Sequence, residues 1–378
     1  MLNIALIGCT GSIGRQVASV VRRDPQRFRF SALCAGHDGE ELLSLCREFR
    51  PEFAALAAGD PGRAGDVPQG THFLRGAEIA EHIFEGCDVA FIAAGGFAGL
   101  AYTLRAAETC RRIALANKES LVCGGQLVMD AIARTGAELI PVDSEHSAIF
   151  QALSFHRHAP FSRIVLTASG GPFRTWPKER LRSVTARDAL RHPTWKMGDK
   201  ITVDSATLLN KGYEVIEAKW LFGAPFEAIT AVVHPESIVH SLVCFADGAA
   251  LAQLGYPTME VPIQLALTCP ERLPCAPQLD LTAIKSLTFE RLREEDFPCF
   301  GLAVGAGKAG GTLPTVLNAA AEEAVRAFLA ERISFFGIAE TISETLSRIP
   351  REEASCFAQL QEADMRARRT ARKLLYDV

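Results

Sequence analysis

Acidic side chains follow a predicted strand near the middle of the chain, in the segment AELIPVDSEH. Asp143 and Glu145 stand at the carboxyl end of that strand, the edge at which open α/β sheets bind ligands. If the strand continues, both carboxylates have the same side-chain parity and face one point. A second acidic pair, Glu214 and Glu217, follows in a predicted helix. Carboxylate oxygens that converge on one pocket predict a site for a divalent cation such as Mg²⁺ or Mn²⁺.

The helix with the second acidic pair allows two interpretations. Asn210, Glu214 and Glu217 follow an i, i+4, i+7 spacing, so the three side chains share one face. A solvated acidic face explains the two glutamates as well as a metal site does. The metal site is favoured only because of the first pair, Asp143 and Glu145.

Hydrogen-bond donors suited to a phosphate occur in the same half of the sequence. Ser169 ends another apolar strand, Ser205 precedes the acidic helix, and Asn210 and Lys211 lie within it. Hydroxyl, amide and ammonium groups around one pocket suit a phosphate monoester.

The polar stretch Pro172–Lys200 is long for a connection between ordered elements, which predicts a functional lid. His192 in this stretch is a further candidate donor. Trp195 is placed to cover a substrate and exclude water.

A glycine-rich loop, GCTGSIG, follows the first predicted strand and opens a helix. Gly8 and Gly11 let the backbone approach a pyrophosphate, while Gly14 lets helix and strand pack closely. The spacing differs from G-x-G-x-x-G, so a plain tight turn is the alternative. His37 and Asp38 end the second strand. An acidic residue there is typical of NAD and a cation of NADP, so the motif leaves the cofactor preference open.

Another polar cluster, in IALANKES, places Asn117, Lys118 and Glu119 at the carboxyl end of a strand. Three polar residues at that edge, one of them a lysine, indicate chemistry, and a solvated turn is the alternative. An earlier strand ends in Gly95 and Gly96, where the nicotinamide half of a dinucleotide has room to pass.

Composition argues against several functional classes. The 378 residues carry a net charge of −4, with no basic stripe for nucleic acid; the arginine-rich MRARRTARKLL near the end predicts a charged last helix. No apolar run reaches the roughly 18 residues of a membrane span, and no signal peptide is visible before the first strand. The eleven cysteines are unpatterned, which argues against zinc and fits reduced thiols. We therefore expect a cytoplasmic protein.

The order of predicted elements indicates an α/β protein. Apolar runs alternate with amphipathic stretches in the first part of the chain, which predicts a Rossmann-like, doubly wound parallel sheet. A hairpin at Asp247–Gly248 then indicates a central α+β domain, and helical periodicity dominates from Gly301 onwards. We expect domains at 1–145, 146–275 and 299–378, with a linker at 276–298. The predicted strands of the first domain are Asn3–Ile7, Arg29–Ala35, Phe53–Ala57, Asp88–Ala93, Ile113–Ala116 and Glu138–Val142, with helices at Ser12–Arg23 and Gly39–Phe49.

Long segments of the chain, in order, resemble the 1-deoxy-D-xylulose 5-phosphate reductoisomerase family. These are GCTGSIG, ALANKESLV, PVDSEHSAIFQ, TASGGPFR, RHPTWKMGDKITVDSATLLNKGYEVIEAKWLF, VHPESIVHSLV and GKAGGTLPTVLNAA. The resemblance implies an NADPH-binding domain, a catalytic and dimerisation domain and a C-terminal helical domain, in a homodimer. It implies the NADPH- and metal-dependent conversion of 1-deoxy-D-xylulose 5-phosphate to 2-C-methyl-D-erythritol 4-phosphate, a step of non-mevalonate isoprenoid biosynthesis. The implied metal is Mn²⁺, Mg²⁺ or Co²⁺.

The resemblance also implies roles for individual residues. The implied metal ligands are Asp143, Glu145 and Glu214, which with Lys118 are also the implied catalytic residues. The implied substrate contacts are Lys118, Ser144, Glu145, Ser169, His192, Trp195, Ser205, Asn210, Lys211 and Glu214. The implied cofactor contacts are Thr10, Gly11, Ser12, Ile13, Gly36, His37, Asp38, Asn117, Glu119, Gly198 and Met259.

Two departures from the family pattern concern single positions. His37–Asp38 stands where the family commonly has lysine or arginine followed by asparagine, which bears on NADPH preference. Ala321 stands where the family commonly has asparagine. The position lies away from the predicted chemistry, so we expect this difference to have no effect on function.

Two other functions compete with this interpretation. A metal-independent semialdehyde or homoserine-type dehydrogenase would share the βαβ start but leave the acidic cluster without purpose. A redox-sensing regulator would need a DNA-binding module, and the sequence offers no recognition helix or basic stripe for one.

Overall fold

The computed structural model describes residues 1–58, 66–154, 160–195 and 197–376. These residues form two compact units, and each unit takes up more than one stretch of the chain. Unit 1 contains the described parts of Met1–Ser120, Gln126–Ser147 and Thr258–Ala276. Unit 2 contains Leu121–Gly125 and the described remainder of the chain. The structure therefore regroups the sequence differently from the predicted consecutive domains, and that division stays a prediction.

Unit 1 is built on a seven-stranded parallel sheet with the order β4-β3-β2-β1-β5-β6-β7. The chain reverses its direction of winding between β1 and β5, which is the switch point of a doubly wound fold. This sheet confirms the predicted fold class. The strands are β1 (Leu2–Ile7), β2 (Phe28–Ala35), β3 (Phe53–Leu56), β4 (His72–Leu74), β5 (Val89–Ile92), β6 (Arg112–Leu115) and β7 (Glu138–Pro141).

The helices of unit 1 lie mostly between these strands in the sequence. Ser12 and Gly39 begin α1 and α2 as predicted, and α5 is kinked at Gly124, whose backbone is not helical. The helices are α1 (Ser12–Arg23), α2 (Gly39–Phe49), α3 (Ala77–His82), α4 (Gly99–Thr109), α5 (Lys118–Thr135) and α6 (Ser144–Leu153), of which α5 and α6 extend into unit 2, and α11 (Glu260–Thr268).

Helix α11 comes from a distant part of the chain and packs on α1, β6 and β7. Ion pairs tie its segment to α1 and the following turn: Arg23 Nη1 lies 3.0 Å from Glu260 and Arg27 Nη1 lies 2.5 Å from Glu271. The guanidinium of Arg112 donates to the carbonyls of Leu267 and Cys269 at 3.0 and 2.6 Å. These contacts make Thr258–Ala276 a strap across unit 1.

Unit 2 contains a mixed five-stranded sheet with the order β11-β10-β8-β9-β12. The pair β8–β9 is parallel, whereas the other three pairs are antiparallel. The predicted hairpin joins β10 to β11, and Gly248 at its tip has a φ of +90°. The strands are β8 (Phe161–Ala168), β9 (Ile229–Val233), β10 (Val239–Phe245), β11 (Ala250–Leu254) and β12 (Glu290–Arg291).

The remaining helices of unit 2 fall into two groups. The first group joins the strands of the mixed sheet: α7 (Lys178–Leu181), α8 (Ala186–Ala189), α9 (Asp199–Ala206) and α10 (Leu209–Phe222). The second group forms the helical end of the chain: α12 (Pro298–Ala309), α13 (Leu313–Leu329), α14 (Phe335–Arg348) and α15 (Phe357–Tyr376). Among the described helices, none combines the length and apolar character needed to cross a membrane.

Candidate active site

The glycine loop between β1 and α1 is close-packed backbone. Gly8 has a φ of +90°, and a Cβ on it would lie 2.6 Å from the carbonyl of Ala93. A Cβ on Gly14 would lie 2.2 Å from the Gly8 carbonyl oxygen. Gly11 precedes the first residue of α1 with extended backbone. The helix amino terminus therefore opens directly beside the loop, as a pyrophosphate site requires, with Thr10, Ser12 and Ile13 around it.

The second strand ends beside this loop. Gly36, His37 and Asp38 are exposed. Asp38 is the N-cap of α2, and its Oδ1 accepts the Glu41 backbone N–H at 3.0 Å. The structure thus places a carboxylate at the position that reads the adenosine ribose in doubly wound folds.

Asn117 organises the start of α5 rather than lying in a solvated turn. It is 2% exposed, its Oδ1 accepts the Ser120 backbone N–H at 2.9 Å, and its Nδ2 donates to the Gly96 carbonyl at 3.1 Å and to Glu119 at 2.9 Å. A Cβ on Gly99 would lie 2.4 Å from the Asn117 amide. The Asn117 side chain therefore joins the segment that follows β6 to the segment that follows β5.

The Lys118 ammonium lies 2.6 Å from Asp143 Oδ2, and the lysine is 8% exposed. This ion pair joins the two strand ends that the sequence analysis singled out. The alternative of a solvated turn at Lys118 is wrong, because the side chain is buried and paired.

Asp143 and Glu145 do not lie on one continuing strand. The strand β7 ends at Pro141 and α6 begins at Ser144, so the parity argument is wrong. The physical reason is that Asp143 starts the helix: its Oδ1 accepts the backbone N–H groups of Glu145 and His146 at 3.1 and 3.3 Å. The first helical turn still brings ligand oxygens of Asp143 and Glu145 within 4.8 Å of each other.

Two neighbours shape this acidic turn. Ser144 Oγ donates to Glu145 Oε2 at 2.5 Å. His146, which is fully buried, has its Nδ1 3.4 Å from Asp143 Oδ1. The sequence analysis did not select His146, although its i+3 spacing from Asp143 is the signal of a first-turn contact.

In unit 2, α10 is buried over most of its surface. Glu214 and Glu217 are 1% and 3% exposed, so the alternative of a solvated acidic face is wrong. Glu214 accepts hydrogen bonds from Asn210 Nδ2 and from Lys211 Nζ. The Lys211 ammonium also donates to the Thr167 carbonyl at 2.5 Å. A buried carboxylate is thus held by an ammonium and an amide from its own helix.

The predicted lid contains α7 and α8, and His192 follows them. Its Nδ1 accepts the backbone N–H groups of Thr194 and Trp195 at 3.2 and 2.9 Å. Its Nε2 lies 3.0 Å from Ser169 Oγ, which also accepts the Gly171 N–H at 3.2 Å. Burial lowers the pKa of His192 to about 4. The imidazole is therefore neutral near pH 7, with its proton on Nε2.

Three other predicted residues take defined positions. Trp195 lies near His240, with ring centroids 6.3 Å apart. Ser205 lies within α9, which the sequence analysis did not predict, and Gly198 is the N-cap of that helix. Met259 precedes α11 as its N-cap.

Three carboxylates among the described residues form a group suited to supply metal ligands. Asp143 and Glu145 belong to unit 1, and Glu214 belongs to unit 2. In each unit an ammonium neutralises a member of this group, Lys118 at Asp143 and Lys211 at Glu214. Hard oxygen donors with excess negative charge fit Mg²⁺ or Mn²⁺.

Comparison with known proteins identifies the family. The family model described as 1-deoxy-D-xylulose 5-phosphate reductoisomerase matches residues 4–125. The model of the corresponding C-terminal domain matches residues 139–222, and that of the DXP reductoisomerase C-terminal domain matches residues 254–370.

Relatives with this name are similar over their whole length. The enzyme of Chlorobaculum tepidum is 49% identical over 383 residues, covering 99% of this chain and 100% of the relative. That of a Geobacillus strain is 47% identical over 385 residues, with the same coverage.

Solved structures show the same agreement. The reductoisomerase from Zymomonas mobilis in complex with NADPH superposes with a TM-score of 0.91, at 37% identity over the full length of both chains. A reductoisomerase in complex with NADPH, fosmidomycin and magnesium gives a TM-score of 0.89, at 36% identity over 99% of each chain.

Proposed function

The chain belongs to the 1-deoxy-D-xylulose 5-phosphate reductoisomerase family, and we propose that it converts 1-deoxy-D-xylulose 5-phosphate to 2-C-methyl-D-erythritol 4-phosphate with NADPH and a divalent metal. The observation that carries this proposal is the acidic group Asp143, Glu145 and Glu214 in a chain that also has a nucleotide-type glycine loop. Isomerisation needs a Lewis acid and reduction needs a hydride donor, and this chain has residues suited to hold both.

Asp143, Glu145 and Glu214 are the metal ligands in this proposal. A bound dication polarises adjacent substrate oxygens and stabilises the charge that develops on one of them. Lys118 and Lys211 lie beside two of these carboxylates and reduce the repulsion among the acidic groups. With a metal held by Asp143, the Lys118 ammonium would stabilise an oxyanion or move a proton.

The phosphate end of the substrate is assigned to unit 2. Ser169 Oγ accepts two hydrogen bonds, from His192 and Gly171, so its own proton remains for an anionic oxygen. Ser205, Asn210 and Lys211 provide further donors. The binding energy of the phosphate drives closure of the predicted lid Pro172–Lys200, and Trp195 then excludes water. Ser144 contacts the substrate head beside Lys118.

Unit 1 holds the nicotinamide cofactor in this proposal. The amino terminus of α1 faces the pyrophosphate. The residues that follow β2, β5 and β6 contact the rest of the dinucleotide. The proposed cofactor contacts lie in the glycine loop and at strand ends, with Met259 at the nicotinamide and Gly198 as a further contact. They are Thr10, Gly11, Ser12, Ile13, Gly36, His37, Asp38, Asn117 and Glu119.

Finer features follow from the same family membership. We propose that the protein is a cytoplasmic homodimer that serves non-mevalonate isoprenoid synthesis and also accepts Mn²⁺ or Co²⁺. The domain division at 145, 275 and 298 belongs to this proposal. A metal-independent semialdehyde or homoserine-type dehydrogenase is disfavoured, because it gives the buried carboxylate Glu214 no role.

The test is NADPH oxidation with 1-deoxy-D-xylulose 5-phosphate, with Mg²⁺ or with excess EDTA. We expect turnover only with the metal. Glu214→Gln should weaken Mn²⁺ binding, measured by calorimetry, by more than the roughly 10–100-fold that outer-shell partners cost, and abolish turnover. Glu227→Gln is the control, because Glu227 is exposed and pairs only loosely with Lys308.

Circular dichroism of each variant separates loss of fold from loss of the site. Turnover that survives complete chelation would contradict the metal mechanism. Equal Mn²⁺ affinity of Glu214→Gln and the parent chain would remove Glu214 from the ligand set.

A further inference from the structure

The end of β2 is fixed against the glycine loop. The backbone N–H groups of Gly8 and Cys9 donate to the Cys34 carbonyl at 2.8 and 3.0 Å. Because β1 and β2 are adjacent and parallel, the three residues from Gly36 to Asp38 leave the sheet at the same edge as the loop. A dinucleotide whose pyrophosphate lies on α1 therefore places its adenosine ribose at this edge.

Asp38 is oriented at this edge by α2. At the helix amino terminus the Glu41 N–H donates to Asp38 Oδ1 at 3.0 Å, which orients the exposed carboxylate. A carboxylate held through one oxygen keeps acceptor capacity on the other. The carboxylate is therefore suited to accept a hydrogen bond from a ribose hydroxyl.

Arg15, a cation at this edge, is already engaged by another carboxylate. Its guanidinium makes a two-pronged contact with Glu41, with both N–O distances at 2.6 Å. The Glu41 hydrogen bond is the main reason why the pKa of Arg15 is raised, and the charge of Asp38 adds to the effect. The first turn of α2 also carries Glu40. Among the described residues here, carboxylates thus outnumber guanidinium groups.

We propose that Asp38 accepts the adenosine ribose 2′-hydroxyl, so that this chain binds NADH about as tightly as NADPH. The inference rests on the nucleotide site of the proposed function. A 2′-phosphate carries about −1.5 to −2 charges near pH 7, and it would meet the Asp38 carboxylate at close range. The unphosphorylated ribose donates a hydrogen bond to the same oxygen instead.

The test compares two probes that differ only in the 2′-phosphate, adenosine 2′,5′-bisphosphate and adenosine 5′-monophosphate. Calorimetry gives their dissociation constants for the full chain without metal or substrate, and NADPH and NADH are compared by fluorescence. Asp38→Asn is the informative variant, because asparagine caps a helix as well as aspartate and keeps α2 intact. Asp24→Asn is the control, since it removes a half-exposed carboxylate at the C-cap of α1, the end of that helix opposite to the glycine loop.

We expect the parent chain and Asp24→Asn to bind the two probes within tenfold of each other. Asp38→Asn should shift the ratio at least tenfold toward the bisphosphate. A parent preference for the bisphosphate above tenfold, or a smaller shift in Asp38→Asn, would overturn this inference and leave the proposed function intact. If neither probe nor either dinucleotide binds, both proposals fail.

Discussion

The His192 imidazole acts as a fixed hydrogen-bond donor because its two nitrogens have different partners. Nδ1 accepts two backbone N–H groups, so the neutral ring must carry its proton on Nε2, facing Ser169. Burial opposes a second proton and lowers the pKa to about 4. The Ser169 hydroxyl is thereby aimed without any charge on the ring.

This arrangement predicts a pH effect on stability. The pKa of histidine is about 6.5 in the unfolded chain and lower in the folded chain, so protons bind the unfolded state more tightly. The contribution of His192 is complete above about pH 6.5 and declines as the pH falls toward 4. Urea unfolding at pH 7.5 and 5.0 should show a larger loss of unfolding free energy for the parent chain than for His192→Gln.

The control for this prediction is His37→Gln, which removes an exposed imidazole. It should lose as much stability as the parent chain between the two pH values. Equal losses in His192→Gln and the parent chain would show that the ring accepts its proton without cost in the folded state.

At the scale of the elements, burial decided which predictions from the sequence succeeded. Predicted strand ends in unit 1 match within one residue, because strands covered on both faces are continuous apolar runs. The three-residue strand β4 begins with an exposed histidine and gave no such signal. Helix α9 was also missed. The continuation of β7 as far as Glu145 was wrong, because the capping role of Asp143 competes with strand continuation.

The candidate site was predictable in its residue types but not in its pairings. Lys211 and Glu214 are neighbours by helical spacing alone. The approach of Lys118 to Asp143 depends on the adjacency of β6 and β7, which periodicity does not reveal. Burial of Glu214 was likewise invisible, because α10 is covered on faces that a surface helix would expose.

The strap helix α11 depends on Arg112. This side chain is 8% exposed, and it donates to the Leu267 carbonyl in the last turn of α11, to the Cys269 carbonyl just after that turn, and to Glu138. We expect Arg112→Ala to lower the free energy of unfolding by about 2–4 kcal/mol, because charge-assisted bonds are lost and buried carbonyls are left unpaired. Arg111→Ala, at the exposed neighbouring position, should change it by about 0.5 kcal/mol or less.

Urea denaturation of both variants measures this difference. Similar midpoints for Arg112→Ala and Arg111→Ala would show that the strap stays in place without the guanidinium. Such a result would leave the ion pairs of Arg23 and Arg27 as its main polar attachments.

At the scale of the whole molecule, the two units are interleaved in the sequence. Unit 1 is completed only by Thr258–Ala276, which follows more than a hundred residues of unit 2. We therefore expect a fragment of residues 1–147 to be loosely folded and prone to associate, since α1, β6 and β7 lose their cover. Joining residues 258–276 to it through a flexible linker should restore cooperative unfolding.

Near-ultraviolet circular dichroism and size-exclusion chromatography of the two fragments distinguish these outcomes. A monodisperse, cooperatively unfolding 1–147 fragment would show that the strap is dispensable for the sheet.

The strap also sets an order of events during synthesis. Residue 258 leaves the ribosome roughly 110 residues after residue 147, which at typical elongation rates is a delay of about 6–20 s. Throughout that interval α1, β6 and β7 of the nascent chain lack the cover that α11 gives them. The part of unit 2 made in this interval can contact the uncovered surface of β6 and β7 before α11 is synthesised, so the middle of translation is when misassembly is favoured.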